Sequence, residues 1–340
     1  MNQSLLMKES LRFQIEQRAA GQRLDEFLAE RLGQLSRLRI ASLLNQGACM
    51  VNERAARAGQ QVRPGDVVEV LLNERATGAM TPEPLPLEII YEDEHLLVVV
   101  KPAGMLVHPT RGVKSGTLSN ALAYHLNREV IEEGNAAQSE SQRREPDFPD
   151  LQSKDPNLKT NGGGFRVMVR PGIVHRLDRA TSGLMVIAKH QRALSILTRH
   201  FHHRLVEKRY LALLQGCVVE DERIITAPIG RDECEQPHWR VMESGRDAET
   251  RLRVLERRGK LTLVELEPVT GRTNQLRIHC AHIGHAVVGD EWYGAESLSG
   301  RLCLHAARLC FHHPSGGEWM EFNAPLPDEI AAVLSAEAPI

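Results

Sequence analysis

The sequence predicts an α+β protein: a small N-terminal α/β module followed by a larger domain built on a mainly antiparallel, mixed sheet. Three observations lead there. Short apolar runs occur in pairs split by turn residues, as with Ile89-Ile90-Tyr91 and Leu96 to Val100 around Glu92-Asp93-Glu94, the pattern of hairpins. Stretches of helical period are interspersed among them. A run with prolines at 82, 84 and 86 separates the first such group from the rest. At 340 residues and 42% hydrophobic content, the chain can bury one sizeable core and still carry a second, smaller module.

Residues 11–75 form the expected module. Leu11, Phe13 and Ile15 alternate as in a strand, and Leu24, Phe27, Leu28 and Leu32 recur at helical spacing. Ser36 is placed to cap a second helix carrying Ile40, Leu43 and Leu44, with Gly47 to end it. Arg37 and Arg39 fall at the start of that helix, on its polar side. Val51-Asn52 and the turn Pro64-Gly65-Asp66 before Val67 to Val70 complete a small strand pair.

Residues 76–87 read as a stiff linker, and 88–325 as the main domain. Its opening hairpin is closed by Pro102 and Gly104, and Thr117–Asn127 follows as a helix. Over 132–166 the composition turns to Ser, Gln, Asn, Pro and Gly, which bury too little apolar area to offset chain entropy, so a mobile insertion is expected. Ala193, Leu194, Leu197 and Phe201 mark an amphipathic helix, and Tyr210–Leu214 a strand. In the turn-rich stretch 228–248, Trp239 can cap the sheet. Arg251–Glu256 and Leu261–Glu267 read as a hairpin. Thr273 can cap a helix that ends before Gly284, and Leu302–Ala306 and Phe311–Pro314 supply the last strands.

The 42 Lys plus Arg and 44 Asp plus Glu leave a formal charge of −2, which is no global nucleic-acid signature. Any RNA affinity must come from local clusters, and residues 1–75, with 11 basic against 9 acidic side chains, are only slightly basic. Six cysteines without a CxxC pair argue against zinc ribbons, iron–sulfur clusters and thioredoxin-like chemistry, and fit reduced thiols in a cytoplasmic protein. His200, His202 and His203 do not share one helix face and have no acidic partner, so no metal site is expected. No apolar run reaches membrane-spanning length, and the N-terminus lacks a signal-peptide core.

Chemistry concentrates in His175-Arg176-Leu177-Asp178-Arg179-Ala180-Thr181-Ser182-Gly183, which runs into the apolar Leu184-Met185-Val186-Ile187-Ala188. Four ionisable side chains in five residues beside a buried strand are costly unless they are used. Asp178 between Arg176 and Arg179 is expected to stay ionised, since neighbouring cations favour the charged form. A carboxylate nucleophile or base requires that state; a surface ion-pair cluster is the plainer alternative. A second dense stretch is Gly271-Arg272-Thr273-Asn274-Gln275-Leu276-Arg277-Ile278-His279, and Lys208-Arg209-Tyr210 opens a strand with an aromatic after two cations.

These stretches resemble the motifs of the RluA-type RNA pseudouridine synthases, in order along nearly the whole chain. The resemblance implies a pseudouridine synthase-like catalytic domain whose cleft holds Asp178 as catalytic aspartate, with Arg277 as its partner and Tyr210 against the target uracil. It also implies that Arg176 helps displace or replace the target base and that Leu304 walls the pocket. For Trp239 it implies, as an equal alternative to capping the sheet, that the ring stacks on a nucleotide. Lys101 and Pro102 match the first motif, and Asn274 stands where the family usually has histidine. Gln22-Arg23-Leu24-Asp25, Ser36 to Ile40, Val51-Asn52 and Pro64 to Val68 are similar, as an ordered set, to the S4 RNA-binding module, which implies phosphate contacts for Arg37 and Arg39. The implied reaction turns uridine into pseudouridine in structured RNA, above all large-subunit (23S-type) ribosomal RNA, as a monomer without cofactor or metal. Two rivals stay open: the same chemistry on transfer RNA, and a non-catalytic S4-type RNA-binding protein.

Overall fold

The computed structural model describes residues 8–32, 37–57, 59–73, 81–129, 131–132, 170–236, 238–294 and 300–338. It divides into two compact units, Met1–Pro84 with Asn120–Pro171, and Leu85–Ser119 with Gly172–Ile340.

In the first unit β1 (Lys8–Gln14), α1 (Leu24–Arg31), α2 (Arg37–Asn45), β2 (Cys49–Val51), β3 (Arg54–Ala55) and β4 (Val67–Asn73) follow in order. The strands form a four-stranded antiparallel sheet in the order β1-β4-β2-β3. The apolar positions expected from periodicity close one core: Leu11, Ile15, Leu24, Phe27, Leu28, Ile40, Leu43 and Leu44 pack with Cys49, Val68 and Val70. Gly47 ends α2 at φ +69°, where a Cβ would be strained. Asn52 joins two turns, its Nδ2 donating to Asp66 Oδ1 at 2.8 Å while its Oδ1 accepts from the Val67 N–H at 2.8 Å. Ser36 lies outside the described residues, as do the side chains of Arg37 and Arg39, whose backbones begin α2.

The second unit opens with β5 (Glu88–Glu92) and β6 (Leu96–Lys101), the expected hairpin, whose turn is tied by Asp93 Oδ1 accepting from the N–H groups of His95 and Leu96. Next in the chain comes α3 (Leu118–Leu126). The expected insertion over 132–166 lies outside the described residues except for Glu132. Then follow β7 (Gly172–Ile173), β8 (Ser182–Ala188), α4 (Gln191–His202), β9 (Glu207–Gln215), β10 (Glu222–Thr226), β11 (Ile229–Arg231), β12 (Trp239–Val241), β13 (Glu249–Arg258), β14 (Leu261–Pro268) and α5 (Gln275–His282). The last elements are β15 (Leu304–His312), β16 (Trp319–Asn323) and α6 (Asp328–Ser335).

A ten-stranded sheet runs β10-β13-β14-β9-β15-β8-β6-β5, with β16 beside β15 and β7 beside β8. Its described pairs are antiparallel except β15 with β8, so the mainly antiparallel, mixed sheet is as expected. All seven residues of β8 are buried, which a continuous apolar run in a central strand requires. Two buried apolar clusters pack within this unit. Ala212, Leu214, Val264, Leu266, Leu276, Cys280 and Ile330 form one, and Leu96, Val98, Leu184, Val186, Leu197 and Phe311 the other.

Two local expectations are corrected. Thr273 does not hold the N-cap position of α5; Asn274 does, without a side-chain capping hydrogen bond and at φ +54°, a left-handed conformation that Asn tolerates better than a β-branched residue. Leu302–Ala306 and Phe311–Pro314 are not two strands, because Leu304–Ala306 of the first and Phe311–His312 of the second belong to the single strand β15, whose partner β16 the apolar pattern does not mark.

Candidate active site

Three adjacent strands and one helix meet at a cleft of about 660 Å³ lined by Arg176, Asp178, Tyr210, Arg277 and Leu304, among others. The sheet order brings them together: Tyr210 on β9 is opposite Ala306 of β15, and His305 of β15 is opposite Ser182 at the start of β8. Asp178 sits in the turn leading into β8, and Arg277 one turn into α5. All five residues expected to serve catalysis or base binding in this domain therefore line one cavity, whose volume is within the range of small-ligand pockets.

The motif around Asp178 divides its charges among separate tasks. His175 is a structural ring, stacked on Phe201 at 4.6 Å and accepting from the Val186 N–H at 3.1 Å. Burial and the charge of Lys208 push it down to about 3, so it stays neutral. Arg179 turns away from the carboxylate: its Nε donates to Gly104 O at 2.9 Å, and its own carbonyl accepts from the Gly104 N–H at 2.8 Å. Arg176 is exposed and faces the cleft.

Lys101 is fully buried, and its Nζ donates to the carbonyls of Pro102 at 2.8 Å, Met105 at 3.0 Å and Arg179 at 3.2 Å. This ammonium ties the end of β6 to the loop carrying Asp178. Its removal from water lowers it to about 8, against the charge of Asp178, which favours protonation.

Arg277, Arg176 and Lys101 favour the ionised form of Asp178, as expected of neighbouring cations, and burial opposes them. The carboxyl is raised, because burial outweighs the attraction of Arg277, Arg176 and Lys101, and Asp290 adds repulsion. The sequence pattern shows neighbouring charges but not desolvation. Tyr210 is raised as well, by burial and then by the charge of Asp178, so its phenol stays protonated.

Arg277 does not form the expected ion pair with Asp178 among the described residues. Its Nε and Nη2 donate to Asp290 Oδ2 and Oδ1, both at 2.7 Å, in a side-on bidentate pair. Asp178 senses the guanidinium through space. Sequence reasoning missed Asp290; the signal present was an acid after Gly289 at the end of an apolar run, followed by Trp292-Tyr293-Gly294. Replacing Arg277 by Ala should destabilise the unit by about 3 kcal/mol or more, since Asp290, with a wholly buried side chain, would keep a charge without its counterion. Denaturant melts of the variant test this.

Trp239 is partly buried against Ile229, Ala248 and Ile278, the arrangement of a sheet cap. Arg240 of the same loop is paired with Asp232 and Glu235. No group of three or more His, Cys, Asp or Glu suited to a metal ion occurs among the described residues. Among them, too, no helix is long and apolar enough to cross a membrane.

Comparison with known proteins agrees with this fold and cleft. Residues 95–282 match the RNA pseudouridylate synthase family, and residues 22–68 match the S4 domain. The chain belongs to the RNA pseudouridylate synthase family, whose reaction isomerises uridine to pseudouridine in RNA. It is 36% identical to the uncharacterized RNA pseudouridine synthase YlyB of Bacillus subtilis (strain 168), over 92% of this chain and 93% of that relative. It is 35% identical to the ribosomal large subunit pseudouridine synthase D of Nitrosomonas europaea, over 93% of this chain and 85% of that one. The solved structure of human RNA Pseudouridylate Synthase Domain Containing 1 superposes with a TM-score of 0.55 at 28% identity, covering 76% of this chain and 90% of that chain.

Proposed function

We propose that Asp178 is the catalytic carboxylate of this synthase and that its substrate is large-subunit ribosomal RNA. The observation that carries the first part is the placement of the Asp178 carboxyl in the cleft, half-buried and faced by three cations. The reaction breaks the N1–C1′ bond of uridine, turns the uracil while it stays bound, and joins C5 to C1′; the C5 proton is lost and N1 gains one. Bond cleavage builds positive charge on the sugar, and an ionised carboxylate stabilises or traps that charge, as in glycosidases.

Tyr210 and Leu304 supply the aromatic and apolar walls against which a uracil taken out of its stack rests. With its phenol protonated, Tyr210 serves as surface and neutral donor rather than as a phenolate base. Arg176, exposed at the cleft, replaces the displaced base or holds its phosphate. Arg277 supplies positive charge near Asp178.

The ribosomal substrate is supported by relatives named ribosomal large subunit pseudouridine synthase D in Nitrosomonas europaea and Xanthomonas campestris, together with the S4 match. Ribosomal RNA assigns the work to the cytoplasm. Mapping pseudouridines in ribosomal and transfer RNA from cells lacking the protein tests it: a uridine restored in large-subunit RNA is expected, and one restored only in transfer RNA overturns the assignment.

Residues 11–75 are the docking module of this reading, with Arg37 and Arg39 on phosphates. Deleting them should weaken binding to large structured RNA and flatten its salt dependence, while turnover on saturating short RNA survives. Changing both arginines to Ala should lower the salt slope by about 1 to 2 if each meets one phosphate. Unchanged salt dependence in the double variant would make the module a scaffold.

A further inference from the structure

We propose that Arg204 and Lys208 form a phosphate subsite on the wall of the cleft, where together they hold one phosphodiester of the RNA strand beside the target uridine. This rests on the reading that RNA enters the Asp178 cleft to be isomerised, and it gives a task to two cations which that reading leaves unused.

Both side chains line the same cleft as Asp178 and Tyr210. Lys208 precedes Tyr210 by two positions on β9, so the two share one face of the sheet, about 7 Å apart along the strand. A uracil resting on Tyr210 thus brings a phosphate of its own or the adjoining nucleotide within reach of the long Lys208 side chain.

Arg204 comes from the turn that ends α4. The Leu205 N–H donates to His200 O at 2.9 Å and the Arg204 N–H to Phe201 O at 3.3 Å, the two bonds of a Schellman motif. Its left-handed position, at φ +58°, is taken by Arg204, although glycine fits such a position without strain. The fold does not recover this cost through the side chain, which is exposed and pairs with no carboxylate among the described residues. Strain of this kind clusters at ligand sites.

Elsewhere in the cleft the cations are engaged, since Arg272 Nε donates to Asp247 O at 3.0 Å and Arg277 is bound to Asp290. Glu267, the acid that acts on Lys208 through space, is itself bound to Arg209 Nη1 at 2.7 Å. Removal from water lowers the Lys208 ammonium, and the charge of Arg204 lowers it further. Two cations that repel one another, one on a strained turn and one half-buried, thus face the cleft with no anion between them. A phosphate oxygen there relieves the repulsion and replaces lost hydration, and a guanidinium fork beside an ammonium point charge is suited to bind it. Such a contact fixes the register of the strand against Asp178 without reading its sequence.

The test is Arg204→Gly, which removes the charge and suits the left-handed turn. Binding of an unmodified large-subunit ribosomal RNA transcript, and then of a transfer RNA transcript, is titrated in the Asp178→Asn background between about 50 and 200 mM salt. Affinity at the upper end should fall by about tenfold, the plot of log affinity against log salt should become shallower by about 1, and the melting temperature should hold or rise. Lys208→Gln should flatten the slope likewise, and Lys208→Arg should restore it. The double variant should also lose about 1, because both cations meet one phosphate. An unchanged slope on both RNAs in either Arg204→Gly or Lys208→Gln overturns the proposal, as does a loss of about 2 in the double variant, which would mean two separate phosphates. Since binding is read without turnover, these outcomes are independent of whether Asp178 is the catalytic carboxylate; isomerisation by Asp178→Asn removes that reading alone.

Discussion

Asp178→Asn should abolish pseudouridine formation, lowering the rate by a factor on the order of 10⁴ or more, as when other nucleophilic side chains are removed. The exchange keeps the side-chain shape and removes the charge, so RNA affinity and melting temperature should stay near those of the unaltered protein. Turnover near the starting rate would remove Asp178 from the chemistry. The pH dependence follows from the same site. Asp178 is raised by burial and must be ionised to act, so the rate should climb as pH rises through a midpoint above the ordinary carboxylate range. At the alkaline end Lys101, pushed down to about 8, loses a proton, a charge facing Asp178 and one of three N–H donors that hold the loop. A second, falling limb is expected there. A flat profile across both limbs would separate the chemistry from both groups.

The second large effect is expected from Gly183→Ala. Gly183 has φ +120°, and a Cβ on it would lie 2.3 Å from Ala306 O, 2.5 Å from Ala306 N and 2.7 Å from Ala306 Cα. Every one of these is backbone of the neighbouring central strand, which cannot swing aside as a side chain would. Backbone strain and the forced separation of β8 from β15 together should cost about 4 kcal/mol or more. Because Ala306 is also opposite Tyr210, the same displacement would widen the cleft between Asp178 and Tyr210. Gly172→Ala is the control. Its Cβ would meet Ala188 at 2.8 Å from a two-residue strand beside β8, which can shift, so its loss should be far smaller. Melting curves for the pair decide the matter: equal losses would show that the contact with Ala306 does not limit the fold.

Much of this was legible before folding because the periods are local. The hairpin around Asp93, the alternation of β13 and β14, and the helical spacing of Ala193, Leu194, Leu197 and Phe201 each reflect one face turned to a core, and they stand where expected. The cap of α5 and the extent of β15 were misread, since a left-handed Asn and an unforeseen partner strand are set by contacts distant in the chain.

The site shows the same division. Family, α+β class and the set of side chains that gather were readable from the chain alone, because motif order and residue type are local properties. How those charges are shared is settled by folding. Arg179 is drawn to Gly104, Lys101 is buried under three carbonyls, and Arg277 is held by Asp290, 13 positions along the chain. Each outcome depends on desolvation and on the angle at which a planar group meets its partner, quantities that exist only once β6, β8 and the turn after α5 converge.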